Sequence, residues 1–101
     1  MSARLKRPSP IAELLKETIK KWNLGPALAK AEVLEEWPQI VGATLAVRSR
    51  PLRFQGEMLW IEVDHPAWIQ ELNLLRTQLL RKIRDAFPLA KIQKLHFALK
   101  K

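Results

Sequence analysis

Apolar residues recur at helical spacing from the start of the chain. Ile11, Leu14, Leu15, Ile19 and Trp22 fall on one stripe, with Glu13, Lys16, Glu17, Lys20 and Lys21 around the other side. Ser9 followed by Pro10 opens this helix as N-cap and first-turn proline, and Gly25-Pro26 closes it. A second helix is expected from about 26 to 36, burying Leu28, Ala31 and Leu34. Pro38 then either starts a short third helix or kinks the second, with Gly42 in or at the end of that turn. Beyond it the period changes to two. Leu52 and Phe54, then Leu59, Ile61 and Val63, alternate with Arg53, Trp60 and Glu62, which predicts two strands. Gln55-Gly56-Glu57 is short enough to join them as an antiparallel hairpin.

Asp64 or His65 caps the next helix, with Pro66 near its first position. No breaker follows until about Ala86, which predicts an uninterrupted helix roughly 30 Å long. Trp68, Leu72, Leu75, Leu79, Ile83 and Ala86 form its stripe, flanked by Ile69, Leu80 and Phe87. Pro88 ends it, and residues 92–99 read as a last strand with Leu95, Phe97 and Leu99 facing one way. The order is α-α-(α)-β-β-α-β, an α+β class. One apolar helix stripe and one apolar sheet face must bury each other, so a three-stranded sheet packed on the long helix is the economical arrangement. The connection from the second strand through that helix to the last strand fits a right-handed parallel crossover. Residues 1–8 are expected to form a flexible basic arm carrying Arg4, Lys6 and Arg7, and residues 9–101 a single domain.

Composition narrows the function. A hydrophobic content of 48% suits a globular chain. No apolar run approaches the ~20 residues needed to cross a bilayer, and the basic N-terminus lacks the apolar region of a secretory signal. The absence of cysteine removes disulfides, thiolate catalysis and cysteine-ligated metals, which suits a cytoplasmic protein. The net charge of +8, with a pI near 10.3, favours polyanionic partners, nucleic acid first among them. A merely basic soluble domain is the plainer alternative.

The candidate chemistry is that of binding. Glu32, Glu35 and Glu36 read as a solvated helix face, Glu62 points outward from a strand, and Asp64 is best explained as a cap. His65 and His96 have no third ligand at metal spacing. Ser2, Ser9 and Ser49 lack a nucleophile elbow or a local His-plus-acid arrangement. There is no glycine-rich phosphate loop. No enzyme, metal or cofactor is expected. Among the four tryptophans, Trp22 and Trp68 are expected in the core, and Trp37 beneath the sheet or between helices. Trp60 points away from Leu59 and Ile61. Either the N-terminal helices cover that face, the favoured arrangement, or Trp60 is open to stack on a base or a partner side chain.

Arg48, Arg50 and Arg53 place three arginines within six residues, able to meet phosphates or to protect an edge strand. Lys91 and Lys94, with Lys100 and Lys101, add charge near the last strand, whose outward side carries His96. Arg81, Lys82 and Arg84 suit the end of a helix dipole. Leu74 lies off the apolar stripe, a candidate for a protein contact. The nucleic-acid-binding candidates are therefore Arg48, Arg50, Arg53, Lys91, Lys94 and Trp60.

One run of the sequence resembles a known family. Trp37, Ile40, Val41 and Gly42 form a W-x-x-I-V-G segment. Gly56, Leu59, Ile61 and Val63 follow as a glycine-led strand, and Ala67, Trp68, Glu71 and Leu72 as an A-W-x-x-E-L helix start. This pattern resembles the DciA-type helicase-loader family over about residues 15–97. The resemblance implies a KH-like domain and a non-enzymatic protein that binds the replicative DNA helicase and promotes its loading onto single-stranded DNA. It departs from true KH domains in lacking the G-x-x-G loop that clamps a nucleic-acid backbone. The alternative is a stand-alone single-stranded nucleic-acid (RNA) binding module without a helicase partner.

Overall fold

The structure, a computed structural model, describes residues 10–101. The basic arm with Arg4, Lys6 and Arg7, and the expected cap Ser9, lie outside the described residues. The elements are α1 (Pro10–Lys21), α2 (Gly25–Glu35), α3 (Trp37–Val41), α4 (Ala43–Ala46), β1 (Ser49–Gln55), β2 (Met58–Val63), α5 (Pro66–Leu74), α6 (Arg76–Ala86), a 3-10 turn (Pro88–Ala90) and β3 (Lys94–Leu99). The expected α+β class and the succession of helices, hairpin, helix and last strand are both present.

The sheet runs in the order β1-β2-β3, with β1 antiparallel to β2 and β2 parallel to β3, as a crossover through α5 and α6 requires. Gly56 opens the two-residue hairpin loop at φ 61°, a conformation that glycine adopts without steric cost. Helices α5 and α6 pack across β2 and β3, while α2 and α4 reach β1. Leu59, Ile61, Val63, Leu95 and Phe97 are buried on this face with Leu72, Leu79, Ile83 and Ile92. At the free edge of β3, Arg76 donates to the Leu95 carbonyl at 2.9 Å, and its guanidinium lies 5.2 Å from the Phe97 ring. That contact occupies a carbonyl which would otherwise invite another strand.

The signature glycine has a backbone reason. Gly42 sits between α3 and α4 at φ 92° and ψ 158°, a region essentially closed to residues with a Cβ. His65, rather than Asp64, caps α5: its Nδ1 accepts from the Ala67 N–H at 3.1 Å.

Five expectations are corrected. The long helix is broken at Leu75, whose N–H is shared between the Glu71 and Leu72 carbonyls at 3.3 and 3.1 Å, a local 3-10 tightening. Arg76, just after the break, also bonds the Asn73 side chain. No proline or glycine marks this site. Ala86, expected on the stripe, is exposed.

Helix α2 buries Ala29 and Val33 instead of Leu28, Ala31 and Leu34. It is apolar around much of its circumference, so periodicity does not select a face. Its main partner is the 3-10 turn, an element the pattern does not announce. In α1 the amphipathic stripe forms but no described residue covers it: it has no buried residue, and Trp22, expected in the core, is 68% exposed. The inner sheet face is already filled by other helices, and the molecule measures 50 by 27 by 24 Å along its principal axes. Finally, the N-terminal helices do not cover the Trp60 side of the sheet.

Candidate nucleic-acid interface

The outer sheet face is organised by one extra residue. Cross-strand pairing runs Ser49↔Val63, Arg50↔Glu62 and Pro51↔Ile61, then skips to Arg53↔Trp60 and Phe54↔Leu59. Leu52 is thus the unpaired residue of a β-bulge. In a regular strand, residues three apart point to opposite faces. The bulge shifts the phase by one, so Arg50 and Arg53 share the face of their partners Glu62 and Trp60. Pro51, which has no N–H for the ladder, stands at the irregularity on this edge strand.

Trp60 pairs in turn with His96 on β3, and Met58 with Lys94. The middle rung is therefore Arg53–Trp60–His96, one residue from each strand. The Arg53 guanidinium lies 4.7 Å from the centre of the indole, and the His96 ring 4.2 Å from it at an interplanar angle of 55°. Arg53, Lys94, His96 and Lys100 are exposed, and Trp60 is half-buried between its neighbours. The Trp60 indole N–H is shielded from solvent and has no acceptor among the described residues. A buried donor left unmet in this way costs about 1–3 kcal/mol.

The other two arginines are engaged. Arg50 pairs with Glu62 at 3.1 Å and Arg48 with Asp64 at 3.5 Å, both at the surface. Such pairs are worth only about 0–1 kcal/mol and exchange readily with other anions. With Ser49 and Lys100 they line an open cleft of about 280 Å³ at the end of the sheet. The Arg48 guanidinium also lies 5.7 Å from the half-buried Trp68 ring. Among the described residues, neither Arg53, Lys94 nor Lys100 forms an ion pair.

This arginine segment is pinned from beneath. The Trp37 Nε1–H donates to Ser49 Oγ at 3.0 Å, and the Ser49 hydroxyl donates to the Leu45 carbonyl at 2.6 Å. Trp37 lies between the short helices and β1, as expected, and is 2% exposed. Lys82, expected to serve only the dipole of its own helix, donates to the Ile40 carbonyl at 2.9 Å and so closes the end of α3. Leu74 is 80% exposed.

Of the six predicted residues, Arg50, Arg53, Trp60 and Lys94 come together on one face, and Arg48 borders it at the cleft. Lys91 stands apart, a left-handed residue closing the 3-10 turn. Sequence reasoning left out His96 and Lys100 as site residues, although the outward position of His96 was legible from the alternation around Leu95 and Phe97. Among the described residues, no three His, Asp or Glu side chains gather closely enough to hold a metal ion, and no helix is long and apolar enough to cross a membrane.

Comparison with known proteins agrees with the signature. Residues 10–97 match the family described as Dna[CI] antecedent, DciA. The chain is 32% identical over 79 residues to a UPF0232 protein of Mycobacterium ulcerans, covering 78% of this chain and 42% of that protein. It is 30% identical over 79 residues to one of Mycobacterium marinum, with the same coverage. A UPF0232 protein of Mycobacterium tuberculosis shows 29% identity over 82 residues, covering 81% and 44%. The chain spans less than half the length of these relatives. It belongs to the DciA family.

Proposed function

We propose that this DciA-family chain is a non-enzymatic accessory protein of DNA replication, which binds single-stranded DNA and the replicative helicase and promotes helicase loading. Family membership supports the replication role. The observation that carries the DNA contact is the Arg53–Trp60–His96 rung on an uncovered sheet face, with Lys94 and Arg50 on the rungs beside it. An aromatic platform among cations suits an unpaired strand: rings stack on bases of any sequence while cations track phosphates. On this reading residues 9–101 act as one KH-like domain and residues 1–8 as a basic arm. The strand lies across the sheet, where no G-x-x-G loop is required.

Adapter action requires coupled binding, because only a protein that binds the DNA-engaged helicase more tightly than the free one can shift the helicase toward DNA. The test is helicase retention and unwinding on a single-stranded substrate, with and without this chain, in moderate salt. Stimulation is expected without nucleotide hydrolysis by the chain itself. Absence of both stimulation and helicase binding at micromolar concentration would reject the adapter role. Stacking does not read the 2′-hydroxyl, so the same face also fits RNA. Preferential RNA binding in these assays, without helicase capture, would establish that second reading instead.

A further inference from the structure

We propose that Trp60 is a seat for one unpaired base, and that Arg53 yields its place over the indole to that base and moves to the neighbouring phosphate. This deepens the single-strand reading above and rests on it. His96 leans against the ring at 4.2 Å and 55° from β3, and an exposed guanidinium that forms no ion pair among the described residues covers it at 4.7 Å from β1. A guanidinium is planar and weakly hydrated, so it leaves an indole without a large change in solvation. A base is a planar π body that fits the same slot. The arginine it displaces keeps its full charge within reach of the backbone that carries the base.

Two further features point the same way. The indole N–H is shut away without an acceptor among the described residues, a donor still to be met. Arg53 reaches the ring only because the Leu52 bulge shifts it onto the Trp60 face. In a duplex both faces of each base are already stacked, so this seat selects unpaired strands.

The experiment compares two probes on the intact 101-residue chain: an oligothymidylate of about fifteen nucleotides, within reach of single-strand site sizes, and an abasic phosphodiester of the same length. Phosphate number is equal, and only one probe can stack. Fluorescence anisotropy of labelled probes over a salt series is expected to show a preference of roughly 5- to 150-fold for oligothymidylate, the value of one stacked base. Because Arg53 reaches a phosphate only when displaced, the log–log salt slope should be steeper on oligothymidylate by about 0.7.

Trp60→Ala should abolish the preference and spare abasic binding, Trp60→Phe should keep most of it, and Arg53→Gln should equalise the two slopes. Equal affinities for the two probes in the unmodified chain would overturn the stacking seat while leaving strand binding intact, and this needs no variant to fold. Equal slopes in the unmodified chain would overturn the arginine hand-over. Binding to neither probe would reject the nucleic-acid reading as a whole.

Discussion

Replacing Ser49 by Ala tests how the signature tryptophan is tied to the arginine-bearing strand. The hydroxyl is buried and does two jobs: it accepts from the Trp37 indole at 3.0 Å and donates to the Leu45 carbonyl at 2.6 Å. The carbonyl survives the change, because the Arg48 N–H also reaches it at 3.1 Å. The indole N–H does not, since Trp37 is 2% exposed and water cannot replace the lost acceptor. One stranded donor costs about 1–3 kcal/mol, so Ser49→Ala should destabilise by about 2 kcal/mol. For a domain of this size that corresponds to a fall in Tm of roughly 8–16 °C.

Urea titration followed by far-UV circular dichroism gives the free energy, and Trp37→Phe in both backgrounds completes a double-mutant cycle. Phe has no N–H to strand, so the second substitution should recover about 1 kcal/mol of the Ser49→Ala loss as coupling. A Ser49→Ala loss under about 0.5 kcal/mol, or no coupling, would refute the claim that this bond holds the junction.

Other outcomes follow from single contacts. Leu72→Ala, at a fully buried position, should cost about 2–5 kcal/mol in the same titration, whereas Leu74→Ala, two residues on and 80% exposed, should stay within about 0.5 kcal/mol. Gly42→Ala should cost about 1–3 kcal/mol from backbone strain alone, since no atom stands within 4 Å of the added methyl. In salt titrations of oligothymidylate binding, Arg53→Gln should lower the slope by about 0.7, and Arg48→Gln, whose arginine already has Asp64, by less than half of that.

The fold was legible where a single pattern had a single partner. Alternation at Leu59, Ile61 and Val63 and the stripe through Leu72, Leu79 and Ile83 each have one apolar face, and those two faces meet. Legibility failed where the partner, not the pattern, decides. The stripe of α1 is as clean as any in the chain, yet nothing among the described residues covers it, because a periodic face states what a helix could bury and not whether a surface remains to receive it. In α2 the reverse holds: several faces were available, and a 3-10 turn without periodicity chose Ala29 and Val33. The break at Leu75 arises from a shared hydrogen bond, which no residue type signals.

The proposed binding face was legible in its residues and not in its assembly. Three arginines within six positions and an outward tryptophan could be read directly, but strict alternation sends Arg50 and Arg53 to opposite sides of the sheet. Leu52 looks like an ordinary core residue, two positions before Phe54, and only the register identifies it as the extra one. The consequence is chemical. Without the bulge, the face carrying Trp60 would hold one of these two arginines, and the other would point into the helix layer, where an unpaired charge is costly to bury. The net charge of +8 would be unchanged, and so would the attraction to a polyanion at long range. What would be lost is the planar cation over the planar ring, the feature that on the proposed reading tells a strand with exposed bases from any other line of phosphates.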